Sequence, residues 1–350
     1  MSRTSDPRRV PVPVLTVVAL VILVVSLPIA TALGSTSIPL GDVVDVWLAR
    51  LGLGPDSSAT SDTIIWNIRA PRVLLAAVVG AGLAIGGTAV QTLVRNPLAD
   101  PYLLGVSSGA SVGATAVITL GVLASAGSWA LSLGAMIGAV VAAATVFGIA
   151  AGQGGLTPLR LVLTGTVLAS AFSAIASYLV FRSEEPQAAQ SVLFWLLGSL
   201  ARASWDQLLL PVVAVAIALI VLVLFRGWLD ALMAGPDVAA SLGVPVAELR
   251  VVLFVLQALL VGVLVAVAGG IGFLGLVVPH VARLLVGPLH ARMLPIAALA
   301  GAIFLVWVDV AARTLAPPQD IPLSVVTGVV GAPVFLMLLG RRRYRFGGEG

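Results

Sequence analysis

Long uncharged apolar runs separated by short polar breaks set the pattern of this 350-residue chain. Val73 to Val94 carries no charge, and after Asp100 the next charged residue is Arg160. A membrane-spanning helix needs about 20 apolar residues. The runs predict spans near 14–34, 72–95, 102–123, 129–151, 159–181, 206–226, 249–269, 272–288, 293–314 and 322–340, ten in all. The eighth is short, and the third and fourth share one charge-free stretch broken only around Gly121, Gly127 and Ser128. The runs are unbroken, where barrel strands would alternate polar and apolar positions, so a barrel is excluded. Ile38 to Leu51 sets Val43, Val46, Trp47 and Leu51 at helical spacing, which predicts an amphipathic helix on the outer interface. Ser191 to Ala201 is apolar but too short to span, and reads as a half-helix dipping into the outer leaflet.

Two polar breaks stand out. RNPLADPYLLG, residues 95–105, holds Pro97 and Pro101, which rule out a continuous helix. It is either a plain surface turn or working machinery. Residues 226–250, RGWLDALMAGPDVAASLGVPVAELR, form the longest break on the same side. Gly235–Pro236 interrupts it, and a short helical run follows from Asp237 to Leu242. Asp237 is placed to cap that run and Gly243 to end it. Its small and apolar residues Val238, Ala239 and Leu242 suit docking into a groove on another protein. They suit equally a linker helix lying on the membrane surface.

Composition confirms the solvent. The chain is 59% hydrophobic and 10% charged, where soluble domains carry about 25% charged residues. The first run, Val10 to Gly41, is too long for a removed signal peptide and lacks an A-x-A-type cleavage site, so a retained first span is expected. There is no cysteine, which excludes disulfides and thiolate metal sites. His280 and His290 are the only histidines and lie in different contexts, so no metal site is expected. All 19 basic residues are arginines scattered among the loops, which is no footprint for nucleic acid.

Those arginines orient the chain. With ten spans, both termini fall on one side. If that side is cytoplasmic, 13 of the 19 arginines lie inside, and nine of the 15 acids lie outside or at the outer ends of spans. Both termini inside is the expected topology, and RNPLADPYLLG is then a cytoplasmic loop.

The chain shows no engine of its own. It lacks G-x-x-x-x-G-K-[ST] and has no lysine at all. Ion-coupled carriers place ionisable groups deep in their spans. Here the only acid clearly inside a span is Asp309, near the outer end of the ninth, four residues before Arg313 and placed to pair with it. A permease driven by a separate ATPase fits better than the competing class, an ion-coupled secondary carrier. No catalytic constellation is present, so no enzyme is expected.

Six stretches carry a resemblance. They are RAPR (69–72), GAGLAIGGTAVQTLVRNPLADPYLLGVSSGA (80–110), FWLLGSL (194–200), LMAGPDVAASLGV (232–244), GGIGFLGLVVPHVARLLVG (269–287) and IPLSVVTGVVGAPVFLMLLG (321–340). The chain resembles the FecCD-type permeases of binding-protein-dependent ABC importers for ferric siderophores, haem and vitamin B12. The resemblance implies an all-α polytopic membrane protein, one permease domain over 1–350 with ten transmembrane helices in the type II ABC importer fold. It implies a homodimer or close heterodimer with a pathway along its axis. Two cytoplasmic ATPase subunits bind the ATP and magnesium, and an extracytoplasmic binding protein delivers cargo. No cofactor is expected in this chain, and its other partner is membrane lipid.

Residue roles follow by resemblance. Arg69, Arg72 and Arg313 match arginines that dock the binding protein, against the plainer reading of interfacial snorkelling. Within segment 230–244, Leu232, Ala234, Gly235, Asp237, Ala239, Leu242 and Gly243 match the coupling segment seated on the ATPase. Asn96, Pro97 and Leu98 match a cytoplasmic gate, with Thr157 and Leu159 where its second part is expected. The many Gly, Ala, Ser and Thr residues of spans two, three and five are expected to form a smooth pathway wall. The cargo expected is an iron–siderophore chelate, with haem or cobalamin as the alternative.

Overall fold

The computed structural model describes residues 11–34, 36–53 and 62–341, with side chains to 338. Arg3, Arg8, Arg9, Asp56, Arg342, Arg343 and Arg345, which weigh in the orientation argument, lie outside the described residues. Among those described there are fourteen α-helices and no strand. In chain order they are α1 (Val12–Ala32), α2 (Leu40–Arg50), α3 (Ala70–Leu93), α4 (Val106–Leu120), α5 (Ala130–Gly152), α6 (Pro158–Phe181) and α7 (Ala188–Leu196). There follow α8 (Trp205–Leu224), α9 (Arg226–Ala234), α10 (Pro236–Ser241), α11 (Val246–Ala268), α12 (Leu274–Val286), α13 (His290–Thr314) and α14 (Leu323–Arg341).

Each of the ten expected runs is one of these helices. Seven are long and apolar enough to cross a membrane; α4, α12 and the apolar part of α14 are shorter. The second span begins earlier than expected, because a π-helical turn at Thr63–Arg69 runs directly into α3. The half-helix α7 starts three residues before Ser191 and ends five before Ala201, where Gly198 takes φ +76°. Helix α2 buries Val43 and Val46 against Ile65, as its spacing predicts, but Leu51 is exposed because it lies past the helix end.

Helix α3 is the axle of the fold. It is buried along most of its length and packs on α8, α11, α12 and α13. Lipid is as apolar as leucine, so helices in it associate through close backbone approach at small residues. A Cβ built on Gly80 would lie 2.2 Å from the Gly301 carbonyl oxygen, and one on Gly301 would lie 2.3 Å from that of Gly80. The same close approach joins α4 to α5 at Gly113 and Gly134. The small residues of span two therefore pack helices together inside the subunit; they do not form the pathway wall expected of them. Helix α1 shows the opposite balance: only its last turns are buried, and Val14, Val17, Val21 and Val24 face outward.

Near the joint between α11 and α12 the backbone leaves helical geometry over residues 269–273. The 13-residue α12 is only about 20 Å long, short of the roughly 30 Å hydrocarbon core. Polar backbone at such depth must find partners within the protein. The Ser199 amide donates to the Ala268 carbonyl (2.9 Å), and Ser324 Oγ donates to the Gly270 carbonyl (2.7 Å). The Gly272 amide donates to Ser324 Oγ (3.2 Å). Tyr102 Oη accepts from the Ile271 amide (2.9 Å) and donates to the Ile271 carbonyl (3.1 Å). The amides of Leu323 and Ser324 close on the carbonyls of Gly198 and Leu197. One joint thus ties together the end of α7, the start of α14 and the 95–105 loop.

At the far end of the bundle, charges do the fastening. Asp309 on α13 is fully buried. It takes Arg72 Nε of α3 at 2.8 Å on Oδ1 and Arg313 Nε at 3.1 Å on Oδ2. Arg72 also reaches Asp320 at 2.8 Å. Arg313 Nη2 donates to the Ala30 carbonyl at 2.7 Å. Arg69 donates to the carbonyls of Thr31, Ala32 and Thr36, the orphan acceptors at and beyond the end of α1. Breaking a buried pair leaves a charge without its counterion. Asp309→Asn is therefore expected to cost about 3–5 kcal/mol, read as a lower midpoint in detergent thermal unfolding. Asp320→Asn, at a partly exposed partner, is expected to cost under about 1 kcal/mol. Equal losses would contradict the assignment of Asp309 as the keystone.

Candidate functional site

The 95–105 loop is a built turn. Helix α3 stops at Leu93, and Arg95 adopts a left-handed φ of +51°. The amides of Arg95 and Asn96 fold back on the carbonyls of Thr92 and Gln91. Asn96 Oδ1 accepts from the Leu98 amide at 2.9 Å, an Asx turn, and Asp100 Oδ1 accepts from the Tyr102 amide at 2.8 Å. Burial pushes the Asp100 carboxyl above its usual range, and the Tyr102 amide opposes that shift. Asn96 is exposed, Pro97 and Leu98 half-buried.

Buried polar groups brace this loop from behind. Gln91, fully buried in α3, donates to the carbonyls of Ala99 and Leu276 and accepts from Arg283 Nη2 at 3.0 Å. Gln257 of α11 donates to the Pro101 carbonyl. Pro101 packs on Gly275 of α12, where a Cβ would come within 2.3 Å of its ring. Tyr102 anchors the loop's exit to the α11–α12 joint. With both prolines in place, the turn is one rigid piece with the core, and its tip is the exposed part.

Thr157 precedes α6 at its N-cap position without a side-chain cap bond, and Leu159 in the first turn is 68% exposed. The loop meets α6 further along, where a Cβ on Gly165 would lie 2.3 Å from the Leu103 carbonyl. Much of α6 is uncovered. Thr166, Ser170, Ser173 and Ser177 recur at helical spacing on its exposed surface, with no charged residue between Leu161 and Phe181. Elsewhere, a crevice of about 550 Å³ opens beside α7, lined among others by Glu185, Gln190, Arg202 and Gln207. It carries charges of both signs, unlike the neutral face of α6.

The 230–244 segment divides into anchors and a presented face. Leu232, Gly235 and Ala239 are buried, whereas Ala234, Asp237, Leu242 and Gly243 are exposed, together with Val238. Gly235 turns the chain at φ +143°, and Pro236 occupies the first position of α10. Asp237 lies in the first turn and makes no side-chain cap bond, so the capping role expected of it falls to the Gly235–Pro236 turn. Gly243, at φ +78°, ends the helix as expected, with the Val244 amide closing on the Ala239 carbonyl. Ala239, read from sequence as part of the docking face, points into the chain's own core.

The three arginines expected at an outer docking rim also differ from their expected presentation. Arg69 and Arg313 are buried, and Arg72 is mostly so. Their guanidinium groups are committed to the carbonyls and carboxylates at the Asp309 end. The residues that the sequence reading passed over are Gln91, Thr92, Tyr102, Asp230 and Ser324, and His290 was weighed there only as a metal ligand. A lone polar side chain in an apolar span is a signal in itself, and Gln91 and Thr92 carry it.

Among the described residues no group of three or more His, Asp or Glu side chains could hold a metal. The comparisons agree with this architecture. Residues 20–341 match the FecCD transport family. The vitamin B12 import system permease of Vibrio cholerae is 40% identical over 301 residues, covering 85% of this chain and 90% of its own. The hemin transport system permease of Yersinia pestis is 38% identical over 291 residues, covering 82% and 87%. A solved chain of a metal-chelate type ABC transporter in an inward-facing conformation superposes with a TM-score of 0.83 at 32% identity, covering 94% of this chain and all of its own. The chain belongs to the FecCD transport family, as a multi-pass permease subunit and not an enzyme.

Proposed function

We propose that this permease imports an iron–siderophore chelate, driven by ATP hydrolysed on two separate cytoplasmic subunits. The observation that carries the cargo reading is the neutral hydroxyl face of α6. A bare metal ion needs ligands in sets, and no group of three or more His, Asp or Glu side chains is assembled among the described residues. A pathway walled by Thr166, Ser170, Ser173 and Ser177 suits a wrapped, bulky organic complex, whose chelator supplies the ligands itself. In this reading α6 faces its counterpart across the axis of a homodimer. The Yersinia and Vibrio relatives favour a second reading, hemin or cobalamin through the same wall.

Both termini and the 95–105 and 230–244 segments lie in the cytoplasm. Asn96, Pro97 and Leu98, with Thr157 and Leu159, form the inner gate. The α9–α10 segment seats on the ATPase through Ala234, Asp237, Val238, Leu242 and Gly243, while Leu232, Gly235 and Ala239 hold it to the permease. A binding protein docks at the Asp309 end, where Arg69, Arg72 and Arg313 support the docking surface from beneath.

The test is uptake into proteoliposomes by the permease with its ATPase and binding protein, offered ferric siderophores, hemin and cobalamin in separate arms. ATP-dependent uptake of a ferric siderophore alone is expected. Uptake of hemin or cobalamin instead would replace the cargo and keep the permease. The coupling assignment has its own check. Leu242→Glu, at a residue 68% exposed, is expected to leave the stability within about 0.5 kcal/mol of the parent, read by thermal unfolding, and to lower uptake at least about tenfold, the cost of a charge buried at an interface. Unchanged uptake would remove Leu242 from the contact.

A further inference from the structure

Three helices are joined by one hydrogen-bonded chain, buried at His290 and Thr92 and 28% exposed at the Asp230 side chain. Asp230 lies on α9, His290 opens α13, and Thr92 lies in the last turn of α3. His290 Nδ1 lies 2.5 Å from Asp230 Oδ1, and its backbone amide donates to the same oxygen at 2.9 Å. Asp230 therefore caps the first turn of α13 from another helix. On the other side, His290 Nε2 lies 2.9 Å from Thr92 Oγ1. The Thr92 hydroxyl also lies 2.9 Å from the Thr88 carbonyl, so its single proton serves the carbonyl or the ring nitrogen, and Thr92 seats the imidazole in either case. His290 and Thr92 are 2% and 1% exposed.

The ends of this chain give it meaning. Asp230 lies between Leu229 and Leu232, both fully buried, which seat α9. Beyond them Gly235 leads straight into α10, bonded to it through the Ala239 amide. At the other end, the Thr92 carbonyl accepts the Arg95 amide, the first bond of the 95–105 loop. A displacement of α10 can reach Asn96 through two helix ends and one imidazole ring. The buried His290–Thr92 bond and the partly buried bonds to Asp230 are not exchanged for water without loss, which couples the three helix ends. Apolar contacts alone would allow α9 to slide over α13.

We propose that His290 is a positioning residue that carries displacement of the α9–α10 segment to the 95–105 loop, with Asp230 and Thr92 as its two seats. This rests on the reading of those segments as ATPase contact and gate. The test uses the absence of cysteine in the chain. Asn96→Cys gives a single exposed thiol at the gate tip, and its labelling rate by a charged maleimide is measured with and without ATP in the complex with the ATPase subunits. In the Asn96→Cys parent, ATP changes that rate. Adding His290→Ala is expected to shrink the ATP-dependent change about tenfold, the scale set by a lost buried hydrogen bond to a charged group. Hydrolysis and assembly persist. His290→Gln, which keeps one side-chain N–H, is expected to recover part of the response. Asp230→Asn, which keeps an Oδ1 acceptor for the His290 amide, is expected to do no further harm when added to His290→Ala, because the ring and its carboxylate act as one unit.

A full ATP response in the assembled His290→Ala complex overturns the proposal. If that variant fails to assemble, the near-isosteric Thr92→Val takes its place with the same expectation, and a full response there overturns it equally. A parent complex that hydrolyses ATP but never changes its Asn96→Cys labelling sinks the gate reading and the proposal with it. Loss of the response in His290→Ala alone supports both.

Discussion

Backbone amides and carbonyls in hydrocarbon must be paired inside the protein, and the residues between α11 and α12 show how much of this fold follows from that requirement. A continuous helix would satisfy them trivially. Here the chain leaves helical geometry, and its peptide groups are taken up by Tyr102, Ser199 and Ser324. Each partner comes from a different part of the chain, so satisfying the joint also fixes the end of α7, the beginning of α14 and the exit of the 95–105 loop. Glycines at 198, 269 and 270 are needed because the backbones there approach within side-chain distance.

The same economy of polar groups shapes both ends of the bundle. Asp309 draws Arg72 and Arg313 together, and through Arg313 it reaches the end of α1. Gln91 draws together Ala99, Leu276 and Arg283. Between these two clusters lies helix packing through small residues, which is dense but non-directional. Movement in such a molecule therefore concentrates where polar chains end at the surface, at the tip of the 95–105 loop and at α10. Those are the two segments proposed above as the gate and the ATPase contact.

Hydropathy made the ten spans legible because runs such as Val73–Val94 leave no other reading. The shortness of α7 was legible from the length of its apolar stretch. The turn at 95–105 could be placed from Pro97 and Pro101. What was not legible was direction. Ala239 has the same character as Val238, yet one faces the core and the other solvent, because α10 is too short for a periodicity to show. Arg69, Arg72 and Arg313 were counted as outer arginines, but burial depends on where α1 ends against α3, a tertiary fact. Asp230 and His290 stand 60 residues apart, and no local pattern announces that they meet.

Tyr102 makes the α11–α12 joint and the 95–105 loop one rigid piece. Hydrogen exchange on Tyr102→Phe in detergent tests it most directly. At least about tenfold faster exchange is expected in peptides covering 269–273 and 95–105, the effect of orphaning the Ile271 amide and carbonyl, with α4 and α5 unaffected. Protection at Ile271 and in the loop equal to that of the parent would contradict it.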